Sequence, residues 1–172
     1  PGFSILQVQK PDLQQTEIRM GHLGVKRNIP DHLPLKVATS ILGDPGSFNA
    51  RLFSEIRVKR GLTYGVRATF DQRLESGPFV ISTFTRNEKI HEMVTELLKV
   101  FKDFREKGVT STEVDNAKSA LRGRFPHLLE TGDDLARQLL MLDLNGVSFD
   151  YLKTFTTEIE KVTLEQVNSA IK

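Results

Sequence analysis

Apolar residues recur along this chain at two spacings, first of two residues and later of three and four, and the change of period divides it into a strand-rich and a helical part. Phe3 to Gln9 alternates well enough for a strand, Pro11 and Asp12 read as a turn, and Gln15 to Leu23 reads as a second strand, so a hairpin is expected. In that second strand Thr16, Ile18, Met20 and His22 share one face while Glu17 and Arg19 share the other, which makes His22 a half-buried strand histidine. Asp31 can cap a helix with Pro34 in its first turn, and Leu33, Val37, Ala38, Ile41 and Leu42 give it an apolar side until Gly43 to Gly46 break it.

The run from Ser47 to Tyr64 carries more signals than any other. Ser47 can cap a helix whose apolar face holds Phe48, Leu52, Phe53 and Ile56, Lys59 and Arg60 suit its negative end, and Gly61 supplies the left-handed residue that ends it. A strand from Leu62 to Phe70 follows, then a turn near Glu75, Ser76 and Gly77 and an antiparallel partner from Pro78 to Thr85. Arg57 and Tyr64 are thereby delivered from two rigid elements toward one corner, a geometry able to hold a ligand.

Beyond Asn87 the period is helical. Ile90, Met93, Val94, Leu97, Leu98, Phe101 and Phe104 form one stripe, which reads as core packing, and Gly108 ends that helix. Thr110 and Glu113 make a capping box for a helix that turns Val114, Ala117 and Leu121 inward before Gly123 and Pro126 disturb it. Asp133 to Leu144, Phe149 to Glu160 and a short terminal helix opened by the Thr163 and Gln166 box complete the pattern. Paired strands followed by helices predict an α+β fold, an antiparallel sheet of about four or more strands covered by helices. Residues 1–172 read as a single domain, long enough to bury a self-sufficient core.

Composition narrows the chemistry. The net charge of +2, from 24 Lys and Arg against 22 Asp and Glu, exerts little pull on nucleic acid or acidic membranes. Arg51, Lys59, Arg60 and Arg67 lack the interleaved aromatics that stack bases and read as a solvated face, and no nucleic-acid partner is expected. Cysteine is absent, which excludes disulfides, thiolate catalysis and cysteine-bound zinc. No apolar run approaches the roughly 20 residues of a membrane span, so no membrane insertion is expected. A chain opening on Pro1 reads as a piece of a longer product whose targeting signal can lie outside it, and the compartment stays open.

Asn49 to Leu52, Glu55 to Arg57 and Arg60 to Tyr64 resemble the segment around the substrate-binding Arg and Tyr of pitrilysin/insulinase-type zinc metallopeptidases, which include mitochondrial processing peptidase. Gln15, the Gly21 to Val25 stretch, Ile41 to Gly43, Gly108 to Thr110 with Glu113 and Lys118, and Val162 to Val167 extend the match over nearly the whole chain. Their order resembles the C-terminal, non-zinc half of a subunit. The resemblance implies that Arg57 and Tyr64 bind peptide across a cleft from the metal, with Tyr64 also catalytic as an oxyanion donor. It implies zinc in the complete enzyme, held by a zinc-bearing N-terminal domain or partner subunit, while Asn49 and Arg51 brace the helix against its loop.

The family's metal needs two His on one helical turn with a Glu, usually H-x-x-E-H, and this sequence has none. No two of His22, His32, His91 and His127 are three to five residues apart; after His91 and Glu92, Thr95 stands where a second histidine is required, with Glu96 behind it. Metal ligands here are therefore predicted to be none, and the chain inactive alone. Periodicity by itself offers a plainer reading of the pair: Arg57 compensating a helix end, and Tyr64 in phase with Val66, Ala68 and Phe70 on a core face. A family member kept for assembly and an unrelated basic binding module are the other functional readings.

Overall fold

The long second strand finds its partner far away in sequence. In the computed structural model, which describes residues 2–45 and 47–172, β1 (Gln15–Leu23) pairs antiparallel with β3 (Pro78–Arg86) over its whole length, from Gln15 opposite Arg86 to Leu23 opposite Pro78. β2 (Val66–Phe70) pairs with the other edge of β3, giving a three-stranded antiparallel sheet in the order β1-β3-β2. The α+β class stands, with three strands where about four were expected. Phe3 to Gln9 is not a strand: Phe3, Ile5, Leu6 and Val8 are all exposed. Ile5 and Leu6 are adjacent, so the segment's apolar residues fall on both faces and neither face can be buried as a unit. Gly46, the last residue of the expected break after the first helix, lies outside the described residues.

Alternation in β3 is strict. Phe79, Ile81, Thr83 and Thr85 are buried on one face, and Val80, Ser82 and Phe84 are half-buried on the other. The sheet's buried face meets α1 (His32–Gly43) through β2 and α2 (Ile90–Lys107) through β3, and with Leu52, Ile56, Phe155, Ile159 and Val167 it forms one continuous core. Asp31 starts α1 without a side-chain cap, its carbonyl accepting from Leu35 N–H at 2.9 Å. In α2 the buried stripe is Met93, Leu97, Val100 and Phe104, narrower than the pattern suggested, with Leu98 40% exposed.

His22 is exposed, which corrects its half-buried assignment. It lies near the end of β1; its Nδ1–H donates to the Leu23 carbonyl at 2.8 Å and its ring lies 5.2 Å from that of Phe79.

The helix stops and starts follow the caps. Gly108 leaves α2 at φ 69°, a conformation glycine adopts without cost, and both sides of the Thr110/Glu113 capping box are formed at the start of α3 (Ser111–Arg124). Thr131 caps α4 (Gly132–Leu144), and the Thr163/Gln166 box opens α6 (Leu164–Ile171). α5 (Tyr151–Lys161) begins two residues later than the apolar pattern suggested. Among the described residues no helix is long and apolar enough to cross a membrane.

Candidate functional site

The segment leading to the Arg57/Tyr64 corner departs from an ordinary helix. Ser47 does not cap it: Ser47 to Ala50 form backbone turns, with Ser47 N–H donating to the Asp44 carbonyl and Ala50 N–H to that of Ser47, and helical structure starts at Arg51. From Phe53 to Val58 the helix is a π-helix, its turns widened by a residue, with Lys59 N–H donating to the Ser54 carbonyl at 3.0 Å and Leu62 N–H to that of Ile56 at 3.2 Å. Gly61, at φ 62°, then turns the chain out as expected. Leu52 and Ile56 are fully buried and anchor the segment, but Phe48 is 74% exposed and Phe53 half-buried, so the predicted four-residue apolar face splits into a core pair and a surface pair.

That surface pair forms a platform. The Phe48 and Phe53 rings meet edge to face at 5.2 Å, and the Arg57 guanidinium lies between two aromatic rings, 4.8 Å from the centre of Phe53 and 4.3 Å from that of Tyr64. A cation over an aromatic face is attracted to the ring without spending its N–H donors on hydrogen bonds. Among the described residues Arg57 has no hydrogen-bonding or carboxylate partner. The guanidinium N–H groups are thus unspent within the described residues.

Tyr64 is not a core residue. It is 75% exposed, because β2 begins only at Val66 and the loop before it breaks the strand alternation. Three buried threonines fix this loop: Thr85 Oγ1 donates to the Leu62 carbonyl at 2.7 Å, Thr83 Oγ1 to the Gly65 carbonyl at 2.9 Å, and Thr63 Oγ1 to the same carbonyl at 3.0 Å. With Leu62 and Thr63 locked inward, Tyr64 is pushed outward beside Arg57. The structure thus brings the two predicted residues together on a supported surface.

The opposite side of the same helix is saturated with charge pairs. Arg51 makes a bidentate pair with Glu113 at 2.6 and 2.7 Å and also donates to the Gly108 carbonyl at 2.9 Å, so it braces the helix to the α2–α3 corner. Burial pushes the Glu113 carboxyl up, but the hydrogen bonds from Arg51 and Thr110 outweigh it and hold it below its ordinary value. Arg60 bridges Glu55 and Glu96. These groups line a groove of about 490 Å³ that neither Arg57 nor Tyr64 borders. The sequence pattern pointed to Arg57 and Tyr64 but not to Phe48 and Phe53 as their platform, nor to Thr83 and Thr85 as the loop's anchors; hydroxyls at alternate inward positions of β3 were the available signal.

The residues present do not fit a zinc ion. Among the described residues no group of three or more His, Cys, Asp or Glu side chains gathers. His32 Nδ1 bonds Gln72 Oε1 at 2.6 Å, His127 pairs with Glu130, and His22 bonds its own strand.

The chain belongs to the family described as the peptidase M16 inactive domain, whose model it matches over residues 2–121. It is 28% identical over 171 residues to an uncharacterized zinc protease of Mycobacterium bovis, covering 99% of this chain and 39% of that protein. A non-peptidase homolog from Helicobacter pylori is 32% identical over 141 residues, 80% of this chain and 31% of its own length. The crystal structure of a peptidase M16 inactive domain from Pseudomonas fluorescens superposes with a TM-score of 0.83 at 34% identity, covering 91% of this chain and 37% of that one. The chain thus spans well under half the length of these relatives.

Proposed function

We propose that residues 1–172 act as one domain, the substrate-binding C-terminal half of a zinc-dependent metalloendopeptidase, clamping peptide with Arg57 and Tyr64 against a zinc-bearing domain or subunit outside this chain. The observation that carries the reading is the Arg57 guanidinium over the Phe53 and Tyr64 rings, with its N–H donors unspent among the described residues and Tyr64 exposed beside it. Its length relative to the mycobacterial zinc protease supports a missing half. The metal and its chemistry belong to that half. This chain's part is positional: the guanidinium edge and the phenol hydroxyl donate to peptide carbonyl oxygens, and when the cleft closes and excludes water they are aimed at the oxygen that gains negative charge. Donors held in that way contribute several kcal/mol of barrier lowering.

A catalytically inactive member serving assembly is the alternative, favoured by the name of the Helicobacter pylori relative. Peptide hydrolysis by the complete protein, with and without Arg57→Ala, separates the two. Substrate clamping predicts that kcat/KM falls tenfold or more with zinc content and melting midpoint unchanged. A wild-type complete protein that assembles with its partner yet cleaves nothing selects the assembly role.

A further inference from the structure

Away from the corner, between α1 and β2, lies a pocket of about 200 Å³ bordered by His32, Lys36, Ser40, Asp44, Thr69 and Gln72. Its charges do not balance. Asp44 is the one carboxylate on its wall, and it already accepts from Arg124 and from Ser40 Oγ. Lys36 and the neighbouring Arg27 have no carboxylate within 4 Å among the described residues, and each is partly buried. Burial pushes the Lys36 ammonium below its ordinary value, with Arg27 and Arg124 adding to the effect and Asp44 opposing it. Cations withdrawn from water are normally paired, so this pair of cations lacks its counter-charge.

The pocket also holds an unused donor. Gln72 Oε1 can only accept, so His32 Nδ1 carries the proton between them at 2.6 Å, which turns the amide so that Gln72 Nε2 is left over. That nitrogen is buried and has no hydrogen-bond partner among the described residues. His32 cannot supply a counter-charge either. Burial first, and then Arg27 and Lys36, lower its pKa to about 3, so at neutral pH it is an uncharged spacer.

We infer that this pocket is a binding site for a small oxyanion, a phosphate or carboxylate group, held by the Lys36 ammonium and the Gln72 amide N–H donors. The site lies apart from Arg57 and Tyr64, so it stands or falls independently of the peptide-clamping role. Arg124, by keeping Asp44 paired, stops that carboxylate from repelling the anion.

Thermal unfolding of the purified protein in sodium phosphate, sodium acetate and sodium chloride at matched ionic strength tests the inference. Phosphate should raise the midpoint by on the order of 5 °C over chloride once it exceeds its dissociation constant about a hundredfold. Lys36→Met, which keeps the side chain's bulk, should hold or raise the midpoint in chloride and abolish the phosphate increment. Gln72→Glu should also abolish it, by setting a carboxylate where the donor was, and covers the case in which the methionine variant does not fold. An increment in acetate as well assigns the pocket to carboxylates in general, whereas phosphate alone assigns it to phosphate. Wild-type midpoints equal in phosphate and chloride, or an undiminished phosphate increment in a folded Lys36→Met or Gln72→Glu, overturn the site and leave a water-filled pocket.

Discussion

Arg51 and Arg57 leave the same short helical segment six residues apart and are put to opposite uses. Arg51 is tied down by a bidentate carboxylate and a backbone carbonyl, while Arg57 touches only the faces of two aromatic rings. An arginine tied to a carboxylate and a carbonyl holds a fold together; one that lies over aromatic rings keeps its N–H donors unspent. The residue type is identical, so the difference lies in what the rest of the chain brings within reach. Glu113 and Gly108 stand more than fifty residues downstream, and no local pattern announces that they return to Arg51.

The largest effect that separates these two roles should come from below both. Ile56 is fully buried beneath the helix, and Ile56→Ala should cost about 2 to 5 kcal/mol in denaturant unfolding and remove the brace and the clamp together. An unchanged midpoint would show that the widened helix is not anchored by its core side. Next comes the brace. Arg51→Ala strips Glu113 of its partner at a site whose side chains are 23% and 29% exposed, and should cost about 1 to 3 kcal/mol, whereas Arg57→Ala should stay within about 0.5 kcal/mol of wild type. Equal losses for the two would erase the distinction.

Acidification probes a third buried group, one with no part in either role. His32 is 8% exposed and its pKa falls from 6.5 to about 3, so between those values the unfolded chain binds the proton and the native one does not. Stability must therefore fall as pH falls through this window and be insensitive to His32 above it. From pH 7 to pH 5 the loss should be about 2 kcal/mol, and His32→Gln should flatten that stretch of the profile. A variant with the wild-type slope would assign the loss to other groups.

Much of this architecture is legible in short sequence signals because local hydrogen bonds create it. The Thr110/Glu113 and Thr163/Gln166 capping boxes form as written, Gly61 takes the positive φ expected of it, Gly108 ends its helix, and the stripe through Met93, Leu97 and Phe104 is buried. What escaped depends on distant partners or on a change of helical pitch. Gln15 to Leu23 has the pattern of a strand, but that its partner is β3 and not Phe3 to Gln9 is decided by nine registered pairs far along the chain. A period of 3.6 places Phe48 and Phe53 with Leu52 and Ile56, and the π-turns and the non-helical start at Ser47 separate them. Tyr64 looked in phase with a core face, but Thr83 and Thr85 hold the Gly65 and Leu62 carbonyls and the strand starts only at Val66. The family resemblance named a pair that the structure places side by side. The surface that presents it could be seen only in three dimensions.

The central claim is that Tyr64 meets substrate and not the protein's own core. Tyr64→Phe in the complete protein removes one hydroxyl, so steady-state cleavage of a peptide and thermal unfolding, measured on the same preparation, test it most directly. The account predicts that turnover falls roughly ten- to a thousandfold while the midpoint stays within a degree or so of wild type, as expected for a donor used in the transition state and exposed without it. Undiminished turnover, or a loss of activity that merely follows a lowered midpoint, would contradict it.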